Sequence, residues 1–294
     1  MRTESKAIGC VVALALLCAP QAAAETFGAG GRSYVVESTT IPAMSPPGQA
    51  PPAICPSGER VLSGGMSNTA GFEDLWLLGS NPAQSSGSSG YHKWIANYQT
   101  FNNGSPITIR GYAICDEQKP LVVEKSFVAG PSGLTSAKAK CPGDLHVIGG
   151  GGSIQLNNGY LLGSQPLDRN DSDSKPDDGW KVTFDNLQPE ELDAAAFALC
   201  AKTKPTYRQS TSAPIPVGQQ GSANASCPVT GKKKYLVGGG HGTPAPTITA
   251  RVNASNPRID VADEAPSRSW ISYMDVRFGA PVTLTVYAIC ARKA

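Results

Sequence analysis

The sequence predicts an all-β protein made of three tandem, disulfide-stapled repeats of about five short strands each. Three observations predict it. Apolar residues alternate with a period of two, six cysteines recur in a regular long-short rhythm, and five landmarks return three times in one order. The chain has 294 residues, of which 40% are hydrophobic, enough for a sizeable core. Only 16% are charged, against roughly 25% in an ordinary domain. A net charge of +2 gives no electrostatic case for nucleic acid or for an anionic membrane surface.

The first element is an export signal over residues 1–24. Arg2 and Lys6 form a positive start, Ala7 to Ala19 is apolar, and Ala22-Ala23-Ala24 offers a small-residue cleavage pattern before Glu25. The apolar run of 13 residues is shorter than the roughly 20 that a membrane span needs. A lipoprotein signal is the rival, but Cys18 follows Leu17 rather than a small residue and Cys10 comes too early. The mature chain is therefore expected to be secreted or periplasmic, with no transmembrane segment. Residues 25–33 read as a linker.

Six cysteines then remain: Cys55, Cys115, Cys141, Cys200, Cys227 and Cys290. An even number in an exported chain implies disulfides. Gaps of 60, 26, 59, 27 and 63 residues alternate long and short, so the unit is about 86 residues. Each odd-numbered Cys precedes a Pro (Pro56, Pro142, Pro228). Glycine runs follow, at Gly64-Gly65, Gly149 to Gly152 and Gly238 to Gly240. Then come Ser80-Asn81-Pro82, Ser164-Gln165-Pro166 and Ser255-Asn256-Pro257. A Trp follows in each copy (Trp94, Trp180, Trp270), and an aromatic-Ala-aliphatic-Cys ending closes at Cys115, Cys200 and Cys290. The repeats span 34–116, 120–201 and 206–294.

This C-P-x-G, G-G-G and Y-A-x-C pattern resembles repeats in exported bacterial proteins, mostly without assigned function; the resemblance covers nearly the whole mature chain and implies no chemistry. Three β-rich repeats also resemble β-prism proteins in architecture, which offers a pseudo-threefold arrangement as an alternative to separate beads.

Each unit is expected to open on a strand, at Tyr34 to Glu37, Leu121 to Lys125 and Thr206 to Ser210. The closing segments alternate best: Val282, Leu284, Val286, Ala288 and Cys290 share one face, which places the cysteine in the core. Copy two conflicts, because Pro189 to Ala196 alone reads as a helix. The other copies read as strand at that register, so strand is expected. The Trp segments alternate too, and the Ser-amide-Pro triplets are expected to end strands, since the residue before Pro is held extended. Threefold similarity leaves two natural disulfide sets. Pairing within units gives Cys55–Cys115, Cys141–Cys200 and Cys227–Cys290. Pairing between units gives Cys115–Cys141, Cys200–Cys227 and Cys55–Cys290. The first is favoured because it needs no ring closure, and each loop of about 60 residues would contribute roughly 4 kcal/mol.

No catalytic residue, cofactor or metal is expected. The glycine runs lack the helix that a phosphate cradle needs, and read as bulges or close backbone approach. His92, His146 and His241 occupy different unit positions, and no G-x-S-x-G elbow exists. Asp168, Asp171, Asp173, Asp177 and Asp178 form an acidic insertion without the glycine of a calcium loop. The candidate ligand-binding residues are Trp94, Trp180 and Trp270, as sugar platforms or core anchors, and Trp76, which has no counterpart in the other copies. The expected function is a non-catalytic surface-binding protein, carbohydrate being one ligand class, or an envelope structural component. The alternatives are a glycan hydrolase with acids in copy-specific loops (Glu73-Asp74, Asp168 to Asp178, Asp260 to Glu264) and an inhibitor or toxin-like interaction protein.

Overall fold

The computed structural model describes residues 23–29, 32–43, 45–69, 74–85, 90–101, 104–155, 159–168, 175–228, 235–243, 249–260 and 265–292. Residues 1–22, which carry most of the expected signal, lie outside them. No described helix is long and apolar enough to cross a membrane.

Every described regular element is a strand, and the order repeats. Ahead of the units, β1 is Ala23–Ala29. Unit one holds β2 (Arg32–Ile41), β3 (Gly48–Gln49), β4 (Ala53–Ile54), β5 (Arg60–Asn68), β6 (Leu75–Gln84), β7 (Tyr91–Thr100) and β8 (Ile107–Asp116). Unit two holds β9 (Leu121–Ala129), β10 (Gly133–Lys140), β11 (His146–Ile154), β12 (Gly159–Leu167), β13 (Gly179–Asn186) and β14 (Leu192–Ala201). Unit three holds β15 (Thr206–Thr211), β16 (Gln219–Ser226), β17 (Tyr235–Gly242), β18 (Ala250–Asp260), β19 (Ala265–Val276) and β20 (Thr285–Ala291).

These strands form three sheets, and no sheet belongs to one unit. Sheet 1 runs β1-β2-β8-β5-β18-β19-β16, joining unit one to unit three. Sheet 2 runs β3-β7-β6-β11-β14-β9, joining units one and two, with β4 also on β7. Sheet 3 runs β10-β13-β12-β17-β20-β15, joining units two and three. Each unit thus places its first, third and last strands in one sheet and the remainder in the next. The units meet at equivalent backbone pairs: Met66↔Ser255, Gly152↔Ser80 and His241↔Ser164. The result is a pseudo-threefold prism around one core to which all three units contribute.

Several expectations change. The expected linker at 25–33 holds most of β1, which begins at Ala23 and pairs antiparallel with β2 through Phe27↔Tyr34, and the first residues of β2 itself. Each unit has a sixth strand position, filled by β10, by β16 and, in unit one, by the fragments β3 and β4 on either side of Pro51-Pro52. Small residues hid it. Ala137 and Ala139 point inward while Lys138 and Lys140 are exposed, so the inner face is too slight to read as a core strand. The Ser-amide-Pro triplets lie inside β6, β12 and β18 rather than closing them: Pro82, Pro166 and Pro257 each pair with the unit's Trp. The asparagines turn back on their own strand, Asn81 and Asn256 donating through Nδ2 to the carbonyls of Pro82 and Pro257.

Other readings hold. The copy-two segment is strand, because β14 is pinned between β9 and β11. The disulfides close within units, each with Cα atoms 5.7 Å apart. Cys115 and Cys290 are fully buried on the face shared with Ala113 and Ala288.

Candidate functional site

The repeated tryptophans are the largest buried side chains. Trp94, Trp180 and Trp270 are 1%, 0% and 1% exposed. No indole face is open to a sugar, which corrects the platform reading in favour of the core anchor. Each indole Nε1 donates to the serine of its own triplet: Trp94 to Ser80 at 2.8 Å, Trp180 to Ser164 at 2.9 Å and Trp270 to Ser255 at 2.9 Å. Each ring also lies against a glycine of the unit's other sheet. A Cβ added at Gly64, Gly150 or Gly239 would come within 2.3 Å of that ring. The next glycines, Gly65, Gly151 and Gly240, face the serine carbonyl of a neighbouring unit, where a Cβ would sit about 2 Å away. One serine therefore satisfies its own Trp and supports its neighbour's glycine strand. The glycine runs are the close-approach sites expected, and β5, β11 and β17 each carry a bulge just before them.

Ser63, Gly149 and Gly238 meet at the axis. The Ser63 Cβ lies 3.1 and 3.2 Å from the Cβ positions of the two glycines, so one small side chain fills a space that three could not share. Further along, Met66, Gly152 and His241 are equivalent. His241 is 1% exposed with neither ring nitrogen hydrogen-bonded, and burial pushes its imidazole down to about 3.

Trp76 does have counterparts. Counting back from the triplet serines, with equivalent bulges in β6, β12 and β18, aligns it with Tyr160 and Arg251. All three are buried at one end of the axis. Arg251 stacks over Tyr160 at 4.8 Å and Trp76 at 5.6 Å, while Arg277 covers Trp76 at 4.6 Å. Arg251 Nη2 bonds Asp185 at 2.8 Å. Burial lowers the Arg251 guanidinium and raises the Asp185 carboxyl, and each charge holds the other ionised. This plug is closed, so Trp76 is a packing residue and offers no ligand surface.

An open concavity lies elsewhere, on the outer face of sheet 1 at the seam between units one and three. It encloses about 440 Å³ and is lined by Asn68, Tyr112, Asn256, Arg258, Ile271 and Tyr273. The buried Tyr112 hydroxyl pairs with Ser67 Oγ at 2.8 Å at its floor, and Asn68 Nδ2 donates to the Asn253 carbonyl at 2.7 Å. Tyr273 and Ile271 are half-buried and Arg258 is exposed, so an aromatic edge, carboxamides, hydroxyls and one cation surround the opening.

The other candidates do not converge. His146 Nδ1 meets Asp177 Oδ2 at 2.9 Å where the acidic insertion rejoins β11. Asp171, Asp173, Glu73 and Glu264 lie outside the described residues. Among the described residues no three His, Cys, Asp or Glu side chains gather as metal ligands. No protein-family model matches the chain, and no curated protein is similar to it.

Proposed function

We propose that this chain is an exported, non-catalytic binding protein that holds a carbohydrate at the outer seam of sheet 1. The observation that carries this reading is the cavity of about 440 Å³ between two units, within the range of small-ligand sites, where apolar surface and a few placed polar groups set orientation. Its lining suits a sugar: the Tyr273 ring offers a face for a pyranose, and amide and hydroxyl groups offer partners for ring hydroxyls. Export is supported by the sequence of residues 1–24 and by three disulfides, which persist in oxidising compartments. The test is a glycan array probed with the mature chain and with Tyr273→Ala. Retained binding in that variant would refute the site, and an array without hits would refute the carbohydrate reading.

A further inference from the structure

We infer that β16 is a docking edge for a second copy of this chain, whose own β16 adds to sheet 1 in antiparallel fashion. The inference stands apart from the carbohydrate reading.

Among the described strands, sheet 1 ends at β1 and β16, sheet 2 at β3 (with β4 beside it) and β9, and sheet 3 at β10 and β15. A terminal strand offers a row of N–H and C=O groups to any other strand, and proteins blunt such edges with charge, proline or interruption. Five of these six positions are blunted. β1 carries Glu25, β9 the exposed Glu124 and Lys125, β10 the exposed Lys138 and Lys140, and β15 the exposed Arg208. β3 and β4 are two residues each, separated by a stretch that holds Pro51-Pro52. β16, which runs Gln-Gln-Gly-Ser-Ala-Asn-Ala-Ser, has neither charge nor proline, and all 8 of its residues pair with β19 without a bulge.

The repeats make the contrast position by position. Ala53, Ala139 and Ala225 each pair with the Trp of their own unit. The residue before that alanine is Pro52 in unit one, Lys138 in unit two and Asn224 in unit three. Two copies block the position and the third leaves it open.

The hydrogen-bond pattern shows which groups face outward. Cys227 N donates to Arg268 O at 2.7 Å, one step beyond Ser226↔Ser269 in the same register. Bonding alternates along an antiparallel pair, so Gly221, Ala223 and Ala225 bond β19, while Gln220, Ser222, Asn224 and Ser226 turn their N–H and C=O groups off the sheet. Asn224 thus presents an N–H where Pro52 has none.

A second β16 meets these groups with its own. A twofold axis at Ala223 sets Gln220 opposite Ser226 and Ser222 opposite Asn224, so all four residues exchange main-chain hydrogen bonds. No charge meets its like, and hydroxyls lie opposite carboxamides. An unrelated extended peptide would find the same main-chain groups without that side-chain match. The fold already accepts an added strand, because β1 extends the far side of sheet 1 by pairing antiparallel with β2.

The test is sedimentation velocity of the mature chain over a dilution series. The expected result is a reversible dimer, whose dissociation constant Asn224→Lys raises by roughly tenfold or more. The substitution is the one unit two uses at this position, and an unchanged near-ultraviolet spectrum shows that the variant folds. Ala223→Cys fixes the register: under oxidising conditions it locks the dimer covalently, whereas Ser226→Cys, placed opposite Gln220, does not. A monomer at every concentration overturns the proposal, even where an added extended peptide protects the β16 amides from exchange. A dimer that Asn224→Lys leaves intact, or that Ala223→Cys fails to lock, also overturns it.

Discussion

Two layers of side chains cross the prism axis on the same triplet-bearing strands and their partners, and the copies treat them differently. In the Trp94–Trp180–Trp270 layer every copy keeps the same Trp, Ser and Gly. In the layer at the axis end the same position holds Trp76, Tyr160 and Arg251. The difference is one of coupling. Each indole is wedged against a glycine that tolerates no Cβ and bonded to a serine whose carbonyl braces the neighbouring unit, so any single change must displace two others. The end layer asks only for bulk and charge balance. An Arg could replace an aromatic there because Asp185 of another copy neutralises it and two rings accept its face. Shared backbone contacts hold residue identity; a filled volume does not.

The most damaging way to break this comparison is to empty the conserved layer. Trp180→Ala is expected to cost about 3–5 kcal/mol, and Trp94→Ala and Trp270→Ala nearly the same, measured by denaturant unfolding with disulfides intact. A twofold spread among the three would show that the copies are not equivalent. In the variable layer the expectation splits. Asp185→Asn alone should destabilise by about 3 kcal/mol, because it strands the buried guanidinium, whereas Arg251→Met with Asp185→Leu should be close to neutral. A double variant as unstable as the single one would show that the pair itself matters.

The smallest effect near neutrality comes from His241, and it grows in acid. The unfolded imidazole has its ordinary value near 6.5, while burial holds the folded one at about 3. Below pH 6.5 the unfolded chain binds the proton and the folded chain does not, so stability falls as pH drops from 6.5 toward 3. At pH 5 the loss is about 2 kcal/mol. His241→Met, the residue copy one uses at Met66, should flatten that slope in urea melts taken from pH 7 to 4. An unchanged slope would place the acid sensitivity elsewhere.

Much of the fold could be read from sequence because its signals are local. Alternation around Cys115 and Cys290 gave strand and face together, and the threefold cysteine rhythm left two disulfide sets, of which the one that needs no ring closure forms. The sharing of each unit between two sheets could not be read, since it rests on pairings such as Gly152↔Ser80 between residues far apart in the chain. Trp76 looked unique because its counterparts, Tyr160 and Arg251, share its register but not its chemistry. The seam site was hidden for a similar reason. Asn68, Tyr112, Arg258 and Tyr273 belong to different strands and no motif joins them. The one available signal was the residue past each triplet proline: Ala83, Leu167 and Arg258.

Because every unit lends half of its strands to each of two walls, a single repeat cut from the chain has no wall of its own. It could close the figure only by gathering two more of its kind. The covalent links between copies then do the work that subunit association would do in a homotrimer, and a lone repeat of this sequence would have assembly as its condition for folding.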